Sequence, residues 1–271
     1  MGAQFRDAGI DSAALDAKLL ILAVTGWSET DLILRADEAL MPADIDALDG
    51  CASRRLSGEP IDHILGYRDF YGRRFHVTKD VLSPRQETEA LVELVLNLSG
   101  NLKDPSFLDL GTGSGAIAIS LLAERADATG LAVDVSDAAL GIAKDNASRH
   151  NVGERLRLAC GSWFEPVTGQ FDIIVSNPPY ITDAAMEVLP LEVSGYDPDI
   201  ALRGGKDGLA PYHVIAGQAS RYLKPGGWVA FEIGYDQGFS VSRILKDNFF
   251  QAVQIQQDLS GHDRIVFGQK P

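Results

Sequence analysis

From Ser106 onward the chain repeats one pattern: a short apolar run, a glycine-bearing turn, and a stretch with helical periodicity. "FLDLGTGSG" leads into "AIAISLLAERA", and "TGLAVDVS" leads into "DAALGIAKDNASRH"; "RLRLAC" and "FDIIVSNPPY" follow. Next come a helix in "DGLAPYHVIAGQASRYL", a strand in "GWVAFEIG", a helix from Gln237, and two closing strands, "QAVQIQQD" and "RIVFG". Strands that alternate with helices are parallel, because a parallel neighbour is reached only by a crossover. The pattern predicts an α/β fold: a doubly wound, mostly parallel, Rossmann-like sheet of seven strands with helices on both faces. Such sheets bind ligands outside the carboxyl ends of their strands. The unusual residues of this chain sit at those ends.

The first 60 residues read as helices only. "DSAALDAKLLILAVTG" opens on the capping pair Asp11-Ser12, carries Leu15, Leu19, Leu22 and Ala23 at helical spacing, and stops at Gly26. "SETDLILRADEAL" repeats the pattern from Ser28, and "PADIDALDGCASRRLSG" does so from Pro42, with Gly58 closing it. Neither a phosphate loop nor a metal-ligand spacing falls there. Residues 1–60 are therefore expected to form a small helical bundle that recognises a partner. Residues 61–82 read as a linker containing a β-hairpin, since "DFYGRRFHV" alternates around a central glycine. Residues 83–271 form the α/β domain. It opens with a helix in "SPRQETEALVELVLNL", with Glu87 and Glu89 in the first turn and an apolar stripe of Leu91, Leu94, Val95 and Leu98.

Charge narrows the partners. The 271 residues carry 24 Lys and Arg against 38 Asp and Glu, a formal charge of −14. Nonspecific nucleic-acid binders neutralise phosphates with Lys and Arg, so the balance favours a protein or small-molecule substrate and no direct nucleic-acid substrate. No apolar run approaches the roughly 20 residues that span a bilayer. "MGAQFRDAGI" has neither the basic-then-apolar order of a signal sequence nor a myristoylation motif, and the expected location is the cytoplasm. Cys51 and Cys160 are the only cysteines and form no CxxC pair, so neither a disulfide framework nor a metal site is expected.

The first glycine turn, "DLGTGSGA", spans Asp109 to Ala116. Glycines at 111, 113 and 115, with Thr112 and Ser114 between them, allow a tight strand-to-helix turn and close approach of a ligand to the backbone. Asp134 ends the next strand about 20 residues on, where an acidic side chain bonds ribose hydroxyls; alternatively it would cap a helix, for which Ser136 also stands ready. Together these residues indicate an adenosine-containing cofactor, leaving nicotinamide enzymes and methyltransferases both open.

Asn177-Pro178-Pro179-Tyr180 separates those classes. It follows the fourth strand of the α/β domain, which a doubly wound order places beside the first. Hydride transfer has no use for this sequence. Methylation of a planar nitrogen does, because the lone pair is delocalised and the group must be held with its plane facing the methyl donor. Two acceptors aimed at its two N–H bonds achieve this and stabilise the positive charge that develops. The Asn177 side-chain oxygen and the Pro178 carbonyl are the candidates. Pro179 keeps Pro178 extended, and neither ring offers a competing N–H. Tyr180 can pack on the flat acceptor group.

With these residues the chain resembles the protein-(glutamine-N5) methyltransferases that modify peptide chain release factors, the HemK/PrmC type. The resemblance runs through "ILGYRDFYGRRFHVTKDVLSPRQETEALV", "FLDLGTGSGAIAI", "AVDVS", "SWF", "VSNPPYI", "YDPDIALRGGKDGL" and "FEIG", in that order. It implies a class I methyltransferase fold, S-adenosyl-L-methionine as cofactor, release factors as partners, and methylation of the glutamine in their Gly-Gly-Gln loop. It implies cofactor binding by Gly111, Thr112, Gly113, Ser114, Gly115, Asp134, Trp163 and Asn177. Substrate binding falls to Asn177, Pro178, Pro179 and Tyr180, with Asn177, Pro178 and Tyr180 catalytic, and Phe70 and the "PRQETE" segment beside the cofactor. Two positions depart from the pattern: Gln86-Glu87 stand where the family has Pro-Asp, and Ser162 stands before Trp163 where an Asp is common. The alternatives are glutamine methylation of a ribosomal protein, methylation of an exocyclic amine in RNA or DNA, and a cofactor-binding regulator without catalysis.

Overall fold

The computed structural model describes residues 1–258 and 260–271. The chain divides into two compact units, residues 1–67 with 190–196 and residues 68–189 with 197–271.

The first unit is helical. Its helices are Gly2–Asp7, Ala13–Thr25, Glu29–Leu34, Pro42–Leu56, Ile61–Leu65 and Leu191–Ser194. Phe5, Leu20, Leu48 and Ala52 form its core. Ser28 and Asp31 form a reciprocal capping box that starts the third helix. The helical pattern of "SETDLILRADEAL" extends to Leu40, yet this helix stops at Leu34 and buries none of its residues. Without burial, a helix this short has little to hold further turns. Arg55 lies inside the unit, its guanidinium 2.7 Å from Asp16 and 2.6 Å from Glu192.

The second unit opens with strands β1 (Tyr67–Phe70, whose first residue closes the helical unit) and β2 (Arg73–His76), which form a hairpin. Tyr71 and Gly72 both take positive φ, 48° and 69°, as the tightest hairpin turns require. The strands that follow are β3 (Ser106–Leu110), β4 (Thr129–Asp134), β5 (Leu156–Cys160), β6 (Phe171–Ser176), β7 (Ile181–Thr182), β8 (Arg203–Gly205), β9 (Leu223–Glu232), β10 (Gln251–Gln257) and β11 (Asp263–Gln269). Seven of them form one sheet in the order β10-β11-β9-β6-β3-β4-β5. All neighbours run parallel except at β11, which is antiparallel to both β9 and β10. This is the expected doubly wound, mostly parallel sheet.

Side chains alternate across a strand, so a sheet covered on both faces needs apolar residues in succession. Phe107 joins one core with Leu91, Val95, Ile119 and Leu122, while its neighbour Leu108 joins the other with Tyr212, Ile215, Val241 and Leu245. Strand order reverses between β3 and β6, so the chain leaves β3 in opposite directions. The crevice at that switch point is where the carboxyl ends of β3, β4 and β6 converge. The pair β7–β8 and the short helices Asp183–Met186 and Asp199–Leu202 lie in a stretch whose sequence carries no clear periodicity.

Candidate active site

A cavity of about 580 Å³ opens at this switch point, within the size range of small-molecule sites. Of the residues expected at the site, Gly111, Thr112, Gly113, Ser114, Asp134, Trp163, Asn177 and Pro179 line it. The β3 turn is tied to β4 by its backbone: the N–H groups of Gly111 and Thr112 both donate to the Val133 carbonyl, at 2.8 and 3.0 Å. Asp134 completes the tie. Its Oδ2 accepts from the Gly113 N–H and its Oδ1 from the Ser136 N–H, each at 2.9 Å. The cap of the next helix is Ser136, whose hydroxyl accepts from the Ala139 N–H. Asp134 is therefore not that cap, and its carboxylate stands at the cavity wall.

Under the turn lies Asp109, fully buried, with Thr112 Oγ1 donating to its Oδ2 at 2.6 Å. Burial pushes this carboxyl up to about 7, against the Thr112 hydroxyl and the Ala118 amide, which favour its charged form. A Cβ added at Gly113 would meet nothing within 4 Å, so the backbone there faces open space. Gly115 was expected to bind cofactor, but it does not line the cavity. It caps the helix Ala116–Glu124 with φ 80°, and a Cβ there would lie 2.7 Å from Ile119 Cδ1 and 3.2 Å from Ala143 Cβ. Its glycine is explained by helix packing.

Trp163 has φ 49°, a conformation that is costly for a bulky residue and points its ring toward the Gly111 turn. Ser162 also lines the cavity, with its N–H donating to Glu165 Oε2 at 3.2 Å. Phe70, expected beside the cofactor, instead packs in the core with its ring 5.9 Å from Phe75. From the "PRQETE" segment, Pro84, Arg85 and Thr88 do line the cavity.

The corner after β6 is held from several directions. Ser176 Oγ donates to the Leu110 carbonyl at 2.6 Å, locking the ends of β6 and β3 together. Asn177 Nδ2 donates to Thr88 Oγ1 at 3.3 Å. Pro178 is buried, and neither it nor Tyr180 lines the cavity. The Tyr180 ring packs against the second core, where burial pushes its phenol up to about 12. Gln237, itself buried, donates through Nε2 to the carbonyls of Tyr180 (3.2 Å) and Gly208 (3.3 Å), while its Oε1 accepts from the Gly234 N–H. Gly208 has φ 74° and abuts the Tyr180 carbonyl so closely that no Cβ fits.

Glu232, at the end of β9, is 2% exposed. Burial raises its carboxyl to about 7, opposed by the Thr88 hydroxyl, Arg264 and the Asn177 amide. Sequence reasoning assigned no individual role to Thr88, Asp109, Glu232 or Gln237, and gave Thr88 only a place in the "PRQETE" segment beside the cofactor. "FEIG" and "PRQETE" carry two of them, but only the folded register shows what they face. The cavity wall formed by Pro198, Asp199, Ile200, Ala201 and Arg203 was also not anticipated. It follows Asp197, a buried acid 2.8 Å from Arg85. Among the described residues, no group of His, Cys, Asp and Glu could hold a metal ion, and no helix is long and apolar enough to cross a membrane.

The cavity thus presents an open glycine backbone, an acid at a strand end and an indole on one side, and the corner of Asn177 and Pro179 on the other. That donor set fits an adenosine-bearing methyl donor. Comparison with known proteins agrees. Residues 2–66 match the PrmC N-terminal domain, and residues 75–190 match the methyltransferase small domain. The release factor glutamine methyltransferase of Agrobacterium fabrum is 41% identical over 96% of this chain and 91% of its own. The chain belongs to the release factor glutamine methyltransferase family. A second member, from Caulobacter vibrioides, is 40% identical over 98% of this chain and 93% of its own. Among solved structures, the 16S rRNA N2 G1207 methyltransferase of T. thermophilus, in complex with AdoMet and guanosine, aligns with a TM-score of 0.54. It shares 21% identity over 76% of this chain and 50% of its own, and shares the fold of this family.

Proposed function

We propose that this enzyme transfers a methyl group from S-adenosylmethionine to the side-chain amide nitrogen of the glutamine in the Gly-Gly-Gln loop of peptide chain release factors, in the cytoplasm. The observation that carries this reading is the placement of Asn177 and the β3 glycine turn on one cavity, in a chain about 40% identical over its length to enzymes of that name.

When bound, S-adenosylmethionine supplies an activated methyl on a sulfonium sulfur, which leaves as a neutral thioether. The protein's part is binding and positioning. Gly111 to Ser114 would accommodate the donor's chain against bare backbone, Asp134 would accept from its ribose hydroxyls, and Trp163 would cover its base. Asn177 Oδ1 and the Pro178 carbonyl accept the two N–H bonds of the substrate amide, which holds its plane toward the methyl. Both acceptors gain strength as positive charge develops on nitrogen, so they act mainly in the transition state. The alkylated nitrogen is acidic enough to lose its proton to water without a general base. Residues 1–60, which carry no such groups, are assigned to docking of the protein substrate, and 83–271 to methyl transfer, with the 61–82 hairpin segment between them.

Isotope transfer from labelled S-adenosylmethionine tests this. Purified release factor, ribosomal protein and oligonucleotide are offered side by side, and the label is expected on the Gly-Gly-Gln glutamine alone. Label on either of the other two, with none on the release factor, would overturn the assignment.

A further inference from the structure

The Asn177 carboxamide has two chemically different ends, and only the oxygen can accept an N–H bond from a methyl-accepting amide. A buried line of polar groups stands behind it. Asn177 Nδ2 donates to Thr88 Oγ1 at 3.3 Å, and Thr88 is 3% exposed. Glu232 comes next. It follows Phe231, whose partner across the parallel pair is Ser176, so the register sets Glu232 beside Asn177. Its carboxyl faces the Thr88 hydroxyl and the Asn177 amide, and its Oε2 has no hydrogen-bond partner.

The polarity of this line follows from donor and acceptor counts. Once Glu232 has lost its proton, its carboxylate only accepts. A threonine hydroxyl beside it gives its single proton to the carboxylate and keeps its lone pairs for another donor. A carboxamide can supply that donor only through nitrogen. We infer that Glu232 and Thr88 are positioning residues which, through this one-way line from carboxylate to hydroxyl to carboxamide, turn Asn177 Oδ1 toward the methyl-accepting nitrogen. With the carboxamide reversed, N–H would meet N–H, and the charge developing on the acceptor would face a donor. Neither residue needs to touch substrate. The inference rests on the amide-methylating reading of the site.

The experiment uses the full-length protein, labelled S-adenosylmethionine and a release factor. Glu232→Gln keeps the shape but can present either end of its amide, and it is expected to lower kcat about tenfold, below the full loss of one preorganised acceptor. The KM for release factor and the Kd for cofactor should stay within about twofold. Thr88→Val removes the hydroxyl and should behave like Glu232→Gln, while Thr88→Ser should restore the rate. In an Asn177→Ala background both losses should vanish, since they act only through that carboxamide.

Wild-type kcat in Glu232→Gln or Thr88→Val, failure of Thr88→Ser to restore it, or undiminished losses in the Asn177→Ala background would each overturn the inference. Should Glu232→Gln not fold, the Thr88 variants and their cycle with Asn177→Ala decide. A wild-type protein that transfers no methyl to any substrate overturns the functional reading and the inference together. One that does transfer methyl, but shows additive losses, overturns the inference alone.

Discussion

The glycine turn after β3 is held by residues close to it in sequence, whereas the corner after β6 is held from across the chain. Thr112 reaches Asp109 three residues back, and Asp134 meets Gly113 across 21 positions. Asn177, by contrast, rests on Thr88, 89 positions earlier, and Tyr180 on Gln237, 57 positions later. The first wall needs only that two adjacent βα units fold. The second needs the whole sheet closed in register, with β9 and the loop through Gly208 in place. That suits the different roles proposed for the two walls. A cofactor can be bound by a local cradle, but an acceptor amide must be fixed against a donor at atomic tolerance, and a tolerance of that kind needs support on several sides.

Damage to the two walls should read out in different constants. The largest effect is expected at the corner. Asn177→Ala removes the proposed acceptor, whose assigned work is chiefly in the transition state, and kcat should fall about 10²- to 10³-fold. The melting temperature should move little, because the Asn177 side chain's bond to Thr88 is a long one, at 3.3 Å. Single-turnover rates at saturating cofactor and substrate measure this. A rate within a few-fold of wild type would remove Asn177 from the role proposed for it.

Damage at the turn should appear in binding. Asp134→Ala is expected to weaken S-adenosylmethionine by about 1 to 3 kcal/mol through loss of charge-assisted bonds to the ribose, with kcat at saturation much less affected. The same substitution strips acceptors from the Gly113 and Ser136 amides, so a lower melting temperature should accompany it. Calorimetry that finds lowered stability with unchanged cofactor affinity would make Asp134 a purely structural tie. It would also erase the distinction between the two walls.

The same contrast governs what could be read in the sequence. Strand and helix order, the seven strands, and the convergence of the glycine turn, Asp134 and Asn177 follow from period and punctuation, which are local signals. The hairpin was legible because Tyr71-Gly72 sits between two short alternating runs. The β7–β8 pair was not, because two- and three-residue strands carry no period. Gly115 and Phe70 were expected at the site by resemblance. In the fold, Gly115 makes room for Ile119 and Ala143, and Phe70 fills the core. Glu232 and Gln237 were illegible for the opposite reason: each is one polar letter among apolar ones, and only the register with β6 and the loop through Gly208 shows what it holds.

Each wall also buries one acid near neutrality, and this allows the smallest test. Burial raises the Asp109 carboxyl in the fold from the ordinary 3.8 to about 7, so the folded state binds more protons than the unfolded chain between those values. Its contribution to stability is therefore greatest in acid, declines as pH rises toward 7, and is constant above. Glu232, raised in the same direction, acts with the same sign. Wild-type protein should lose stability between pH 6 and pH 8, and Asp109→Asn should remove about 1 kcal/mol of that loss. An asparagine oxygen can still accept from Thr112, so the turn itself should survive. Denaturant titrations at the two pH values measure the slope. If Asp109→Asn leaves it unchanged while Glu232→Gln abolishes it, the buried charge that matters lies behind the acceptor corner alone, and the glycine turn is held by its backbone ties to Val133 and Asp134 with no cost from the acid beneath it.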